Sequence, residues 1–168
     1  MALLLLMPAA HVSAQAPTAA TDTLLPVEQL SPSFLGMYRK VMEIEDEIRG
    51  HTDRYGLHFD LARAVCLYES GGKAALSSWV GARGYFQVMP ATFRSLRVET
   101  NIEAGIKYLS QLVDRFDRED YAIAGYNGGP TRVGRRSPMP LETLQYVLGV
   151  GHFRSVLKTH EASIRHHA

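Results

Sequence analysis

The sequence of 168 residues has one cysteine, one tryptophan and almost no net charge. A single cysteine, Cys66, excludes a disulfide within the chain and therefore a disulfide-stapled fold. A formal charge of +1 argues against a dedicated nucleic-acid-binding protein, because such proteins concentrate basic charge. No apolar run reaches the roughly 20 residues that a membrane-spanning helix needs. The 46% apolar and 21% charged residues are typical of a globular domain.

Lys and Arg are absent from the first 38 positions, and the chain begins MALLLLMPAAHVSAQA. A short apolar run followed by small residues is typical of a secretory signal peptide, although the usual preceding basic stretch is missing. We predict a signal peptide at residues 1–14, cleaved after Ala14 or Ala16, and a flexible tail at residues 15–33. Cys66 lies too far from the predicted cleavage site to carry a lipid anchor. We therefore expect a soluble, monomeric protein that is periplasmic or secreted, with no membrane span after the signal is removed.

The remaining residues show apolar positions at helical spacing and no alternating strand pattern. Ser31 and Pro32 predict the start of a first helix that reaches Tyr55, with Gly50 as its weak point. Further helices are expected to start at Pro90, at Asn101 as an N-cap, and at Asp120, and the last helix at about Leu141. The turn-rich segment 125–130 is expected to end the helix from Asp120. We predict an all-α, mainly helical single domain at residues 34–168.

One carboxyl group occupies an unusual place in this pattern. Residues 61–70 predict an amphipathic helix with Asp60 as its N-cap and Gly71 as its C-cap. Its apolar stripe consists of Leu61, Val65 and Tyr68. Glu69 falls next to that stripe in the last turn, where the helix dipole and partial burial both disfavour a carboxylate. A carboxyl group that stays protonated near neutral pH can act as a general acid.

Five short motifs surround this glutamate in the order of the chain. They are Glu69-Ser70; Gly84-Tyr85-Phe86-Gln87-Val88-Met89-Pro90; Asn101-Ile102 with Gly105, Tyr108 and Leu109; Gly125-Tyr126-Asn127-Gly128-Gly129-Pro130; and Glu142-Thr143 with Tyr146-Val147. Together they resemble the signature of the soluble lytic transglycosylases, whose catalytic domain has a goose-type lysozyme fold. The resemblance covers residues 50 to 160 and implies a lysozyme-like domain with a glycan-binding groove.

The resemblance also implies the roles of individual residues. Glu69 matches the single catalytic acid of the family. The residues that match its substrate-binding positions are Ser70, Ser78, Gln87, Met89, Tyr126, Asn127 and Tyr146. Amide side chains suit sugar hydroxyls and N-acetyl groups, and tyrosine rings can stack on sugars. No metal and no cofactor is implied. Tyr85, Phe86, Gly125 and Gly128 depart from the family pattern and alter the expected shape of the groove.

Ordinary glycoside hydrolysis uses two carboxylates. Apart from Glu69 the motifs contain only Glu142, which opens a helix, where a carboxylate favours the helix dipole, and it is therefore interpreted as structural. The resemblance implies that Glu69 protonates the glycosidic oxygen of peptidoglycan and then removes a proton from the 6-hydroxyl of N-acetylmuramic acid. That step closes a 1,6-anhydro ring without water. One alternative is a hydrolytic muramidase in which Asp117 or Glu142 orients water. Another is a catalytically silent glycan-binding or assembly protein.

Other candidate side chains have simpler explanations. Cys66 lies late in a helix and is predicted to be a core residue rather than a nucleophile. The histidines at 160, 166 and 167 are expected to be a frayed terminus, and Arg132, Arg135 and Arg136 an exposed loop. Trp79 either stacks on sugar or anchors its long loop. The expected partner is the peptidoglycan strand, and an envelope-spanning secretion, conjugation or flagellar assembly is an alternative setting to housekeeping turnover.

Overall fold

A computed structural model describes residues 31–135 and 138–167 of the chain. Within them lie eight helices: α1 (Pro32–Met42), α2 (Glu45–Tyr55), α3 (Phe59–Ser70), α4 (Pro90–Leu96), α5 (Asn101–Phe116), α6 (Glu119–Gly128), α7 (Pro130–Gly134) and α8 (Leu141–His167). Strand pairing in this part is limited to two isolated bridges, Ser77 with Arg83 and Arg83 with Val88. The all-α prediction is confirmed. The predicted signal peptide and nearly all of the tail lie outside the described residues.

Helix α3 forms the centre of the domain and packs against α1, α2 and α8. All residues from Leu61 to Leu67 are buried, including Arg63. The prediction of an amphipathic helix with a single apolar stripe is therefore wrong, because neighbouring helices cover α3 on every side. At the end of the helix, Tyr68 is 40% exposed.

The predicted first helix is two helices in the structure. α1 begins at Pro32 with the Ser31 hydroxyl accepting from the Phe34 amide at 3.2 Å, as its sequence predicts. The chain then breaks at Glu43 and Ile44, whereas the expected weak point Gly50 lies inside α2. The buried positions on both sides of the break keep one helical phase, so periodicity alone does not reveal it. They are Phe34, Tyr38 and Val41 in α1 and Ile48 and Thr52 in α2.

Two predicted N-caps are also wrong. His58 precedes α3, and Asp60 lies in the first turn, where its carboxylate pairs with Arg154 at 2.7 Å. Thr100 caps α5 by accepting from the Glu103 amide at 3.1 Å. Asn101 is thereby free to bind a neighbouring loop. In both cases a tertiary partner uses the side chain that local sequence signals assign to the helix end.

Helix α6 continues through the segment that the sequence predicts to be a turn. Gly125 faces Phe116 so closely that a Cβ atom would lie 2.9 Å from its ring. Close packing against α5 and α8 holds the glycine-rich segment in a helix until Gly129, which has a φ of 86°. The short helix α7 follows, where the sequence predicts a loop.

Helix α8 begins at Leu141 as predicted and continues to His167, so the terminal histidine pair belongs to a helix rather than to a frayed end. It lies along α3 and is joined to it by ion pairs, with Arg63 bound to Glu161 and Arg154 bound to Asp60. Among the described helices, none has both the length and the apolar character required to cross a bilayer.

Candidate active site

Glu69 lies in the last turn of α3, which ends where Gly71 adopts a left-handed conformation with a φ of 58°. The next residue, Gly72, packs against α1 so closely that a Cβ atom would lie 2.6 Å from Lys40 Cβ. These two glycines turn the chain sharply and hold the Glu69 side chain at the edge of the core. Burial raises the pKa of the Glu69 carboxyl from 4.5 to about 7.

Tyr146 from α8 donates a hydrogen bond from its hydroxyl to Glu69 Oε1 at 2.6 Å. This bond lowers the pKa of Glu69, although burial has the larger effect. Tyr146 is itself buried, which keeps its own pKa well above the ordinary value and its hydroxyl protonated as a donor. The Tyr68 ring packs edge-on against it, with centroids 4.9 Å apart. Tyr146, which belongs to α8, thus holds the Glu69 carboxyl group in position.

Residues 83–88 form a tight turn beside Glu69. The Ser70 hydroxyl donates to the Tyr85 carbonyl at 2.7 Å, and the Asn101 side chain accepts from the Phe86 amide at 2.9 Å. Asn101 also donates to the Arg83 carbonyl at 2.8 Å. Ser70 is buried, and its hydroxyl also accepts from the Gly72 amide. Ser70 therefore joins the end of α3 to the turn.

Gln87 has a φ of 42°, a left-handed conformation that is uncommon outside glycine. Its side-chain nitrogen donates to the carbonyls of Leu76 and Gly84 at 3.0 and 2.9 Å. These bonds compensate a backbone conformation that costs on the order of 1 kcal/mol or more. Strain of this kind, held by local hydrogen bonds, is typical of functional sites.

Tyr126 and Asn127 project from α6. The Tyr126 hydroxyl donates to the Phe86 carbonyl at 2.9 Å, and its ring contacts Tyr108 with centroids 5.3 Å apart. The Asn127 carbonyl oxygen accepts from the Thr143 hydroxyl at 2.9 Å. The nearby glycine at 128 makes room for this contact, since a Cβ atom there would lie 2.9 Å from Thr143 Oγ1.

A cavity of about 200 Å³, here called the groove cavity, brings four of the predicted site residues together. Its lining consists of Gln87, Val88, Met89, Thr92, Tyr108, Tyr126, Asn127 and Gly129. Burial raises the pKa of Tyr126 well above its ordinary value, and the nearby Glu69 carboxylate raises it further. Tyr126 thus lines the groove cavity and also lies within electrostatic reach of Glu69.

Two predicted loop residues lie apart from the groove cavity. The Ser78 hydroxyl accepts from the Ala82 amide at 3.0 Å and closes a local turn. Trp79 follows it and is 97% exposed, which rules out the interpretation that burial of its ring anchors the loop.

Several side chains at the site were not identified from the sequence. Tyr108 and Thr143 belong to matched motifs and carried a signal, whereas Tyr68 was interpreted only as a core residue. Thr92 had no signal beyond its position after Pro90. The contacts that give these residues a place in the site cross from one helix to another, so linear spacing does not reveal them.

Among the described residues, no second carboxylate lies beside Glu69. Asp117 is exposed at the C-terminus of α5, and Glu142 is exposed in the first turn of α8. Burial and the Tyr146 hydrogen bond account for the Glu69 pKa, with no contribution from another charged group in this part of the chain. Nor do the described residues contain a group of three or more His, Cys, Asp and Glu side chains able to hold a metal ion.

Cys66 is fully buried one turn before Glu69, and burial raises the pKa of its thiol to about 12. The thiolate required for nucleophilic attack is therefore strongly disfavoured. The prediction that Cys66 is a core residue is confirmed.

Solved structures resemble the fold of this chain. An inactive mutant of lytic transglycosylase Slt from Pseudomonas aeruginosa matches 70% of this chain and 24% of its own, with a TM-score of 0.60 and 26% identity. The 70 kDa soluble lytic transglycosylase from Escherichia coli matches 66% of this chain and 23% of its own, with a TM-score of 0.58 and 25% identity. The lysozyme-like fold class predicted from the motifs is thus confirmed.

Curated relatives give the same family. A transglycosylase of Enterobacteria phage PRD1 is 37% identical over 90 residues, which are 50% of this chain and 34% of the relative. Membrane-bound lytic murein transglycosylase F of Desulfosudis oleivorans is 31% identical over 106 residues, with 55% of this chain and 23% of the relative covered. The chain thus spans about a third or less of these relatives. The family profile described as Transglycosylase SLT domain matches residues 46–139, more than half of the chain, which therefore belongs to this family.

Proposed function

We propose that the protein is a lytic transglycosylase that cleaves the β-1,4 bond between N-acetylmuramic acid and N-acetylglucosamine in peptidoglycan. The observation that carries the proposal is the isolated Glu69 carboxyl, whose pKa of about 7 lets it give and accept a proton near neutral pH. Family membership and the name of one relative, membrane-bound lytic murein transglycosylase F, support the same reaction.

The proposed reaction uses Glu69 twice. Its carboxyl first transfers a proton to the glycosidic oxygen as the bond from that oxygen to C1 of N-acetylmuramic acid breaks. The resulting carboxylate then removes the proton from the 6-hydroxyl of the same sugar while O6 bonds to C1. Glu69 is protonated again at the end, and no water is consumed. An internal nucleophile benefits from a high effective concentration and needs no second carboxylate to position water.

The groove cavity supplies the proposed glycan contacts. The Tyr126 and Tyr108 rings offer apolar faces to sugars, and Met89, which is 42% exposed, adds a polarisable contact. The Asn127 side chain is exposed and retains amide donors for an N-acetyl group. Ser70 and Gln87 hold the turn through their hydrogen bonds. Ser78 and Trp79 are proposed to contact sugars farther along the strand.

Mass spectrometry of peptidoglycan digests tests the reaction. Wild-type protein is expected to release 1,6-anhydro muropeptides, which are lighter by one water than hydrolytic products. Glu69→Gln is expected to fold, bind glycan and lose nearly all cleavage. Reducing-end products from the wild type would establish the hydrolytic muramidase instead. Equal trace release by both proteins would establish a glycan-binding protein without turnover.

We further propose that the protein acts as a monomer in the periplasm or outside the cell, where peptidoglycan lies, during wall turnover or beside an envelope-spanning assembly. The first 14 residues, which fit an export signal, support this location. Fusion of residues 1–20 to a reporter that is active only after export tests it. Failure of the reporter to reach the envelope, or mature protein that retains Met1, would contradict the signal.

A further inference from the structure

A second cavity of about 400 Å³, here called the arginine cavity, lies across α4 from the groove cavity. The two cavities share Val88 as a lining residue. Thr92 of α4 lines the groove cavity, whereas Pro90, Phe93 and Arg94 line the arginine cavity. One short helix and the 83–88 turn therefore form a wall with a different cavity on each of two faces.

Two arginines of this cavity lack an acidic partner. The side chains of Arg83 and Arg94 are exposed, and neither guanidinium has an ion pair with a carboxylate of the described residues. Six other arginines in the same part of the chain do form ion pairs: Arg49, Arg54, Arg63, Arg118, Arg154 and Arg165. The cavity thus presents two positive charges that have no ion pair with a carboxylate of the described residues.

The rest of the lining is mainly apolar. Ala74, Val88, Pro90 and Phe93 contribute hydrocarbon surface. The Asn101 amide is already used, because it accepts from the Phe86 amide and donates to the Arg83 carbonyl. The two guanidiniums are therefore the cationic donors at the cavity. Guanidinium groups favour carboxylates, which they bind through paired hydrogen bonds.

We propose that the arginine cavity binds a stem peptide of the peptidoglycan strand, with Arg83 and Arg94 contacting its carboxylates and Phe93 contacting its apolar side chains. The inference rests on the proposed function, since the glycan in the groove cavity brings the peptide close. Four extended residues reach at most about 13–14 Å. That length is enough to pass a helix about 10–12 Å in diameter.

Direct binding tests the cavity without any cleavage. The free stem tetrapeptide is titrated into the full-length protein by calorimetry, and backbone amide shifts are followed by NMR. Shifts are expected around Ala74 and Phe93, and Arg83→Gln/Arg94→Gln is expected to weaken binding about tenfold or more. The matched control is Arg97→Gln, which removes an exposed charge from the end of α4 outside the cavity. It is expected to bind like the wild type.

Three binding results would overturn the proposal: no binding by the wild type, unchanged binding by the double variant, or equal weakening by Arg97→Gln. A tetrapeptide with its carboxylates amidated gives a chemical control. The wild type is expected to bind the amidated peptide more weakly than the acidic peptide. The double variant is expected to bind the amidated peptide at least as tightly as the acidic one. Amidated peptide that binds the wild type fully would also contradict recognition by arginine.

Cleavage assays separate this inference from the proposed reaction. The double variant is expected to raise KM about tenfold on peptide-bearing strands and to leave kinetics on amidase-stripped strands unchanged. Loss on both substrates, or on neither, would overturn the arginine cavity as a peptide site. Anhydro products from stripped strands would still support the proposed function in that case. Tetrapeptide binding without any anhydro product would instead contradict the proposed function alone.

Discussion

Glu69 is held between two opposing influences. Burial at the edge of the core raises its pKa, and the Tyr146 hydroxyl lowers it by donating to Oε1. The resulting pKa of about 7 makes the carboxyl a usable acid and, after it has lost its proton, a usable base. Without burial the group would be ionised at neutral pH and unable to start the proposed reaction.

Tyr146→Phe removes the hydrogen bond that favours the ionised form of Glu69. The pKa of Glu69 should therefore rise above about 7, and the alkaline limb of the kcat/KM profile should move to higher pH. The variant should also cleave more slowly, because the carboxyl loses its positioning contact. Rates of muropeptide release from pH 5 to 9 measure both effects.

Tyr126→Phe is the matched control for that experiment, because the Tyr126 hydroxyl donates to the Phe86 carbonyl and not to Glu69. Its alkaline limb should stay near that of the wild type. A limb that moves to lower pH in Tyr146→Phe, or that moves equally in both variants, would contradict the assigned role of Tyr146.

Glu69 should also make stability depend on pH. The folded protein binds the Glu69 proton up to about pH 7, whereas the unfolded chain releases it near 4.5. The free energy of unfolding therefore falls as pH rises through this window, by on the order of 3 kcal/mol. Glu69→Gln lacks this loss, so its stability relative to the wild type should increase between pH 4.5 and pH 8. Urea unfolding at both pH values measures it, and parallel pH dependences would argue against the raised pKa.

At the level of elements, α8 positions the site through one glycine. A Cβ atom on Gly149 would lie 2.0 Å from Tyr68 Cε2, so the ring would have to move away from Tyr146. Gly149→Ala should destabilise the fold by about 1–3 kcal/mol. Cleavage should also fall, because Tyr146 would no longer hold Glu69 in place. Urea unfolding and muropeptide release measure the two effects.

Gly151→Ala provides the control on the same helix, because its Cβ atom would meet nothing within 4 Å. It should be neutral or stabilise the helix by about 0.5–1 kcal/mol. Equal behaviour of the two alanine variants would show that the Tyr68 contact does not matter.

The sequence correctly predicted those helix ends that depend on the residues at the end itself. The starts of α4 at Pro90 and α8 at Leu141 and the end of α3 at Gly71 all follow from residues at those positions. The errors share a different cause. Asp60 and Asn101 are used by distant partners, and the glycine-rich end of α6 is held helical by α5 and α8. Such contacts override propensity and cannot be read from neighbouring residues.

At the candidate site, too, the sequence identified some residues but not the long-range contacts that support them. The motifs identified Gln87, Met89, Tyr126 and Asn127, and the structure brings these four to one cavity. Their catalytic or binding roles stay predictions. The supporting contacts of Tyr68 and Thr143 could not be predicted, since each joins helices that are far apart in the chain.

At the level of the whole molecule, α8 connects the catalytic edge to the far side of the core. Its first part carries Tyr146, and its later part carries Arg154 and Glu161, which pair with Asp60 and Arg63 of α3. Arg154 also binds Glu119 at the start of α6. These ion pairs fix α8 along α3, the helix that carries Glu69, so distant charges help to maintain the Tyr146–Glu69 distance.

The Arg63–Glu161 pair gives the strongest test of that connection. Arg63 is only 2% exposed and forms two hydrogen bonds to Glu161, at 2.6 and 3.0 Å. Glu161→Gln removes the carboxylate that is hydrogen-bonded to this buried guanidinium and that also pairs with Arg165. The expected loss is roughly 2–3 kcal/mol, less than for a fully buried pair because Glu161 is one-third exposed. Asp120→Asn, which breaks an exposed pair with Arg118, should cost less than about 1 kcal/mol.

The pH dependence of this loss follows from the lowered pKa of Glu161, which arises mainly from its hydrogen bonds with Arg63. A lowered folded-state pKa stabilises the protein above the unfolded value of 4.5 and ceases to do so as pH falls through the folded value. The difference in unfolding free energy between wild type and Glu161→Gln should thus be full at pH 7 and shrink below pH 4.5. If α8 also positions Tyr146, the variant should lose cleavage at temperatures where it remains folded. A variant that is less stable but fully active would limit the ion pair to a structural role.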